Sequence, residues 1–271
     1  MQAERGHVMW IASARWATSW LAVLCALLLA ASVVWELQTR RQLHDYAARL
    51  FTGGSAAERV ESFLHWMEDG AVEEDPATPG VFLPRRDPLL NLNSLEKRNA
   101  CGTATNAFVN VANTAGIPAR RLLLLDGAHS ARHVVAEVLI DGRWVVADPL
   151  YRALLRDASG RLLSKEQLRY AGTLREATSG IAGYPPEFTY DRTAHVRLAA
   201  IPVVGLQLRA LLDRAAPGWE ESVNWTLYLE RSSTLAMMVT GGLLLFCVLV
   251  RIGLGWYGRK RMGSSGAVLS P

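Results

Sequence analysis

The stretch 101–149 has the sequence CGTATNAFVNVANTAGIPARRLLLLDGAHSARHVVAEVLIDGRWVVADP, and its apolar pattern changes from a helical to a strand period. Its first part places apolar residues on one face of a helix that begins near Cys101. Gly116 and Pro118 are typical of the end of a helix. The stretch therefore starts with a helix whose first residue is a cysteine.

The second part of this stretch is typical of an antiparallel sheet. It predicts three strands, over 121–125, 133–140 and 143–147. Asp141-Gly142 is a hairpin signal that joins the last two of them. A helix followed by such a sheet predicts an α+β domain.

Three residues of this stretch suit nucleophilic chemistry on acyl groups. A thiol attacks as a thiolate, which a helix N-terminus and a neighbouring imidazole favour, and a third group orients that imidazole. Cys101 lies at the predicted helix start, His133 begins a strand, and Asp148 ends the strand that is hairpinned to it. The hairpin puts residues 133 and 148 at nearly the same level, and neighbouring strands lie about 4.8 Å apart. The carboxylate is therefore expected to reach the imidazole.

Cys101 is also the one thiol of the predicted globular region, because Cys25 and Cys247 fall in two long apolar segments. A thiol without a disulfide partner is a candidate reactive group. The alternative is an inert cysteine packed as a small apolar side chain.

Four motifs in this order resemble the transglutaminase-like superfamily, whose members share a papain-type Cys-His-Asp arrangement. They are Cys101-Gly-Thr-Ala-Thr-Asn-Ala-Phe108, Gly116-Ile-Pro-Ala-Arg120, His133-Val-Val-Ala-Glu-Val138 and Gly142-Arg-Trp-Val-Val-Ala-Asp148-Pro149. The resemblance implies a transglutaminase-like or papain-like fold in which the nucleophile helix packs on an antiparallel sheet. It implies the catalytic roles of nucleophile for Cys101, base and acid for His133, and orienting group for Asp148. We expect no cofactor and no metal.

Two positions depart from the family pattern. Members often carry glycine two residues before the cysteine and an aromatic residue two residues after the histidine, whereas this chain has Asn99 and Val135. The first concerns the backbone shape at the nucleophile, and asparagine tolerates unusual backbone angles better than most residues. The second changes an expected pocket wall.

Other polar residues are open to a role in the site. His129 lies four residues before His133, but in a predicted loop without further ligands at zinc spacing. Glu137 shares a strand face with His133 and is more typical of a structural charge. A second donor to the oxyanion is expected upstream of the nucleophile, and the sequence does not choose among Trp66, Asn91, Asn93 and Asn99.

Two segments, 16–35 and 232–250, contain no charged residue and match the length that crosses a hydrocarbon layer of about 30 Å. The alternatives are buried core helices or, for the first segment, a cleaved signal peptide. The tails outside them hold six basic residues and one acid, whereas residues 36–231 hold 23 basic and 24 acidic residues. This balance argues against nucleic-acid binding and favours cytoplasmic termini with an exported domain.

The expected order of parts is 1–15 cytoplasmic tail, 16–35 transmembrane helix, 36–54 stalk, 55–231 transglutaminase-like domain with its core at 95–152, 232–254 transmembrane helix and 255–271 cytoplasmic tail. The expected location is the bacterial inner membrane, as a two-pass protein with an extracytoplasmic domain.

The expected function is thiol-dependent acyl transfer on amide bonds of peptide-like or cell-envelope substrates, as a protease, an amidase or a transglutaminase-type enzyme. The lipid bilayer and other membrane proteins are further expected partners. One alternative is a catalytically idle domain that serves as a binding or assembly partner in an envelope complex. Another is a membrane subunit that works through its spans, where Gly241-Gly242 permits close helix packing.

Overall fold

The computed structural model describes residues 2–69, 86–126, 130–198 and 205–265. These residues form two compact units. One contains the chain up to Leu37 and from Ser233 onward, and the other contains Gln38–Ser232.

Helices and strands alternate in a mixed order. The helices are α1 Gln2–Leu50, α2 Ala56–Asp69, α3 Pro88–Leu92, α4 Leu95–Arg98, α5 Cys101–Thr114, α6 Lys165–Leu168, α7 Ala171–Thr178, α8 Gly205–Ala215, α9 Trp219–Ser222, α10 Thr226–Leu229 and α11 Ser232–Ser265. The strands are β1 Ala119–Asp126, β2 Ser130–Ile140, β3 Arg143–Asp148, β4 Ala153–Leu154 and β5 Thr193–Ala194.

The first unit consists of the N-terminal part of α1 and nearly all of α11. Both helices are long and apolar enough to cross a membrane, over Ser13–Leu50 and Ser232–Arg259. Only 11% and 6% of their most apolar stretches are buried, whereas a core helix of a soluble protein is mostly buried. α1 continues without a break because the chain contains neither proline nor glycine between Gly6 and Gly53. The two helices are consistent with membrane anchoring.

The second unit is built on a five-stranded antiparallel sheet with the order β4-β3-β2-β1-β5. This is the predicted mixture of helices and antiparallel sheet, and each central strand begins or ends one to three residues beyond its predicted bounds. The hairpin between β2 and β3 turns at Asp141 and Gly142, both at positive φ, as a tight hairpin requires.

Helix α5 packs on one face of the sheet with α2 and the end of α1. Its buried residues Ala104, Phe108 and Val111 join the same apolar cluster as Phe63 of α2 and Leu43 of α1. The opposite face of the sheet is covered by chain that follows the strands. That second cluster contains the strand residues Leu122, Leu124, Val135 and Val146 and the later residues Leu155, Leu163, Leu168, Leu174 and Tyr190.

A buried polar network holds α5 to the chain just before α11. The Asn106 amide donates to the Glu230 carbonyl at 2.6 Å, and the Asn110 amide donates to the same oxygen at 3.1 Å. Arg231 donates from Nε to Asn110 Oδ1 at 2.6 Å. Each of these side chains is buried, so the bonds satisfy polar groups that are costly to leave unpaired. The network fixes the helix that begins at Cys101.

Candidate active site

Cys101 is the first residue of α5 and is partly exposed. The residue before it, Ala100, is extended and provides no side-chain cap for the helix. The first N–H groups of a helix lack partners within the helix and carry its positive dipole end. The thiol therefore lies where negative charge is favoured.

The start of α5 is bonded to β2 at a point where β3 no longer pairs with that strand. The β2–β3 ladder extends only to the pair Ala136 and Ala147. Beyond it, the Thr105 hydroxyl donates to the Val134 carbonyl at 2.9 Å, and the Val134 N–H bonds to the Cys101 sulfur. These contacts bring Cys101 beside the imidazole of the preceding strand residue.

His133 and Asp148 form a short buried hydrogen bond. His133 Nε2 and Asp148 Oδ2 are 2.6 Å apart, and the two side chains are 1% and 0% exposed. The ladder is offset from the predicted register: Asp148 lies two positions from the level of His133, on the same strand face, so the contact is diagonal. Because Nε2 bonds to Asp148, Nδ1 is the ring nitrogen left for the Cys101 thiol.

The second carboxylate oxygen of Asp148 is also occupied. Oδ1 accepts the backbone N–H groups of Leu150 and Tyr151 at 3.1 and 3.3 Å. The turn after β3 therefore holds the carboxylate in one orientation, with Oδ2 directed at the imidazole.

The electrostatics of the three residues favour an ion pair. Burial of the His133 ring disfavours its charged form, but the hydrogen bonds and charges of Asp148 and Cys101 outweigh burial and raise the pKa of His133 to about 9. The hydrogen bond from His133 lowers the pKa of Cys101, aided by the imidazolium charge and the N–H groups of Val134 and Gly102 and opposed by burial. Both shifts favour a thiolate paired with an imidazolium.

Comparison with known protein families identifies part of this chain. Residues 45–149 match the family model of the transglutaminase-like superfamily. This segment belongs to the transglutaminase-like superfamily. Comparisons with curated proteins and with solved structures gave no match.

The match of the transglutaminase-like domain begins inside α1 and ends just after Asp148, so it contains Cys101, His133 and Asp148. It begins at residue 45, next to Tyr46, which packs into the domain core. Everything after residue 149 lies outside the match and includes several residues that contact the site.

An aromatic cover on His133 was not predicted from the sequence. The Phe188 ring stacks on the imidazole with a centroid distance of 4.2 Å and an interplanar angle of 6°. Tyr151 and Tyr184 meet the same ring edge-on at 6.0 and 6.5 Å. The sequence signal for this cover is the presence of several aromatic residues within a loop rich in glycine and proline, because large rings in a loop usually pack against another part of the protein.

The two departures from the family pattern have simple structural outcomes. Asn99 is the exposed C-cap of α4 with φ −95° and ψ 15°, a conformation that does not require glycine. Val135 is fully buried in the second apolar cluster, and the aromatic surface beside His133 comes from Phe188 instead.

The four upstream candidates for a second oxyanion donor have different surroundings. The Asn91 amide donates to Asn106 Oδ1 at 2.8 Å inside the core, and Asn93 Oδ1 accepts the Tyr46 hydroxyl at 2.6 Å. The Trp66 ring stacks on Phe63 at 5.8 Å. Asn99 Oδ1 accepts a guanidinium N–H from the loop after Asp148 at 3.0 Å. These contacts do not select a second donor among the four, whereas the backbone N–H of Cys101 lies at the uncapped start of α5.

Glu137 belongs to a buried charge network rather than to the candidate active site. It pairs with Arg120 at 2.9 Å and approaches His195 at 3.3 Å, and Lys165 lies 3.9 Å away. Glu137, His195 and Glu221 have ligand atoms close enough to hold a metal ion. Arg120 and Lys165 already neutralise both carboxylates, so the group is better described as an ion-pair network. His129 lies outside the described residues.

Proposed function

We propose that this chain is a membrane-anchored, thiol-dependent acyl-transfer enzyme that acts on amide bonds of peptide-like or cell-envelope substrates. The observation that carries the proposal is the position of His133, whose imidazole bonds to Asp148 through one nitrogen and faces Cys101 with the other. A domain that only binds partners has no physical need for a lowered thiol pKa beside a buried imidazole and carboxylate.

In the first step the Cys101 thiolate attacks the carbonyl carbon of the substrate amide, and a carbon–sulfur bond forms. The carbonyl oxygen becomes an oxyanion, which the N–H of Cys101 at the uncapped helix start stabilises. The carbon–nitrogen bond then breaks, and the His133 imidazolium donates its Nδ1 proton to the departing amine. A thioester on Cys101 and a neutral imidazole remain.

In the second step an acceptor attacks the thioester while His133 takes up its proton. Water as the acceptor gives a carboxylic acid and a protease or amidase reaction, whereas an amine gives a new amide and a transferase reaction. Asp148 stays ionised in both steps and stabilises the imidazolium each time it forms.

We further propose that α1 and α11 anchor the enzyme in a bacterial inner membrane as a two-pass protein. The excess of basic residues in the tails supports cytoplasmic termini and an extracytoplasmic catalytic domain. The partners in this arrangement are the lipid bilayer, the amide substrate and other proteins of the envelope.

The test is covalent labelling of the full-length protein in detergent with an iodoacetamide probe, followed by peptide mapping. Mapping is needed because Cys25 and Cys247 are also free. We expect Cys101 to be labelled at pH 6 much faster than a free thiol with a pKa of about 8.5, and His133→Ala to remove this advantage. Labelling of Cys101 that follows an ordinary thiol pKa would support the idle binding domain instead.

A further inference from the structure

Arg152 lies four residues after Asp148, outside the segment that matches the family. It connects the loop that follows Asp148 to the loop that precedes Cys101. Its guanidinium NH1 donates to the carbonyls of Pro149 and Leu150 in the loop that follows Asp148, the second bond at 3.0 Å. NH2 donates across to the other loop, to the Arg98 carbonyl at 3.1 Å and to Asn99 Oδ1 at 3.0 Å.

These four acceptors have a specific relation to the reacting groups. Arg98 and Asn99 immediately precede the short extended link through Ala100 to Cys101, and Pro149 and Leu150 immediately follow Asp148. A side-chain hydrogen bond joins His133 to Asp148, and Thr105 bonds α5 to β2, but neither contact connects the residues before Cys101 to those after Asp148. The guanidinium bonds to both of these loops.

We propose that Arg152 is a positioning residue for the thiol chemistry. By tying the loop after Asp148 to the loop before Cys101, it sets the spacing within which one imidazole bonds to both the carboxylate and the thiol. This inference rests on the proposed function, because the spacing matters only if Cys101 reacts as a thiolate held by His133.

The backbone conformation of Arg152 also indicates that this position needs the arginine side chain. Arg152 has φ 56°, in the left-handed region that a residue with a side chain rarely adopts. Glycine would fit this turn without strain, but it would remove all four hydrogen bonds to the two loops. Strain of this kind persists where the surrounding contacts compensate for it.

We call the four hydrogen bonds from Arg152 to the two loops the clamp. They require arginine rather than any other cation. A planar guanidinium donates in two directions at fixed angles, whereas the lysine ammonium is a single point on a flexible stem. Charged groups near Arg152 are Arg98, which opposes its charge, and Glu68 and Asp148, which favour it. Lysine would keep the charge among these groups and lose part of the bridge.

The experiment compares the pH dependence of Cys101 alkylation by iodoacetamide in the full-length parent, Arg152→Lys and Arg152→Ala, from pH 5 to 10. A rise of one unit in the thiol pKa lowers the alkylation rate below that pKa about tenfold. We expect Arg152→Ala to be about tenfold slower than the parent at pH 6 and within about twofold of it at pH 10, where the thiol ionises without help. Arg152→Lys should lie between the two. Arg161→Ala is the matched control, because Arg161 is an exposed arginine that pairs with Asp157 in a nearby turn.

A purely structural role would lower the melting temperature without moving the pH profile of the folded protein, and that result would overturn the inference. If Arg152→Ala does not fold, Asn99→Ala removes one acceptor of the clamp and should slow alkylation at pH 6 about twofold to threefold, again with convergence at high pH. Unchanged profiles in both Asn99→Ala and Arg152→Lys would equally reject the clamp. A parent with an ordinary thiol profile would reject the proposed function, and the clamp with it. A shifted parent profile combined with unchanged variants would reject the clamp alone.

Discussion

Asp148→Asn is the substitution that most directly tests how the three residues share their work. In the parent, Asp148 Oδ1 accepts two backbone N–H groups and Oδ2 bonds to His133 Nε2 at 2.6 Å. An asparagine that keeps its oxygen on the two N–H groups must turn its NH₂ toward Nε2. The imidazole then accepts at Nε2 and carries its proton on Nδ1, which prevents it from taking the thiol proton.

The opposite amide orientation is also unfavourable. It presents an oxygen that accepts the Nε2 proton but places the NH₂ against the N–H groups of Leu150 and Tyr151, where two partly buried donors lose their acceptor at a cost of up to about 1–3 kcal/mol. In either orientation the ring loses a carboxylate whose hydrogen bond to a charged partner is worth about 1.5–3 kcal/mol. At about 1.4 kcal/mol for each factor of ten, this predicts a loss of about 10- to 150-fold in the rate of thiolate chemistry.

The assay is the alkylation rate of Cys101 between pH 5 and 10, and turnover once a substrate is known. The pKa of Cys101 is lowered and that of His133 is raised to about 9, so we expect the loss to be largest between these two pKa values and to vanish near pH 10. Asp141→Asn makes the same chemical change in the exposed turn before β3 and serves as the control. A folded Asp148→Asn protein with the parent profile would falsify the orienting role of Asp148.

Three further predictions concern the aromatic stack on His133, the buried charge network and the membrane topology. Phe188→Ala removes the ring stacked on His133. Such a contact contributes about 0.5–1.5 kcal/mol, so we expect Cys101 alkylation at pH 7 to slow about twofold to tenfold, with Phe188→Tyr close to the parent. An unchanged rate in Phe188→Ala would mean that the stack does not support the imidazole. Glu137→Gln removes one of the two carboxylates that pair with Arg120, so urea unfolding should show that the free energy of unfolding falls by about 3 kcal/mol. The pH profile of Cys101 alkylation in the folded protein should stay unchanged, and a shifted profile would place Glu137 in the site. Reporter fusions at residue 160 and at the C-terminus should behave oppositely, because the basic tails favour the cytoplasm; activity of a cytoplasm-only reporter at residue 160 would contradict the topology.

Local sequence chemistry was sufficient for the elements that carry the candidate site. Gly116 and Pro118 mark the end of α5, and Asp141-Gly142 forms the hairpin that brings β3 beside β2. Periodicity also indicated the buried strands, although it did not determine their register. The contact between His133 and Asp148 is diagonal because the two-residue turn at Asp141-Gly142 sets a register that places Asp148 at the level of Val135, two positions from His133.

Contacts between distant parts of the chain were beyond sequence reasoning. Phe188 and Arg152 lie in segments without regular periodicity, and each acquires its role from a partner far away in the sequence. Likewise, the charged residues of the predicted stalk gave no sign that Leu43 and Tyr46 would join the domain core. The role of a side chain in a loop depends on the surface against which it packs, and a single sequence does not show that surface.

The amino-acid sequence by itself determined the helix that begins at a lone thiol, the antiparallel sheet, the three candidate site residues and the two apolar segments, because each of these follows from local periodicity, turn residues or charge. Only the tertiary structure decided which nitrogen of His133 bonds to Asp148, how Val134 and Thr105 bring α5 to the end of the ladder, and which residues cover and tie the site. These features depend on distances between side chains that are remote in the chain, and such distances are set by packing of the whole domain rather than by local preference.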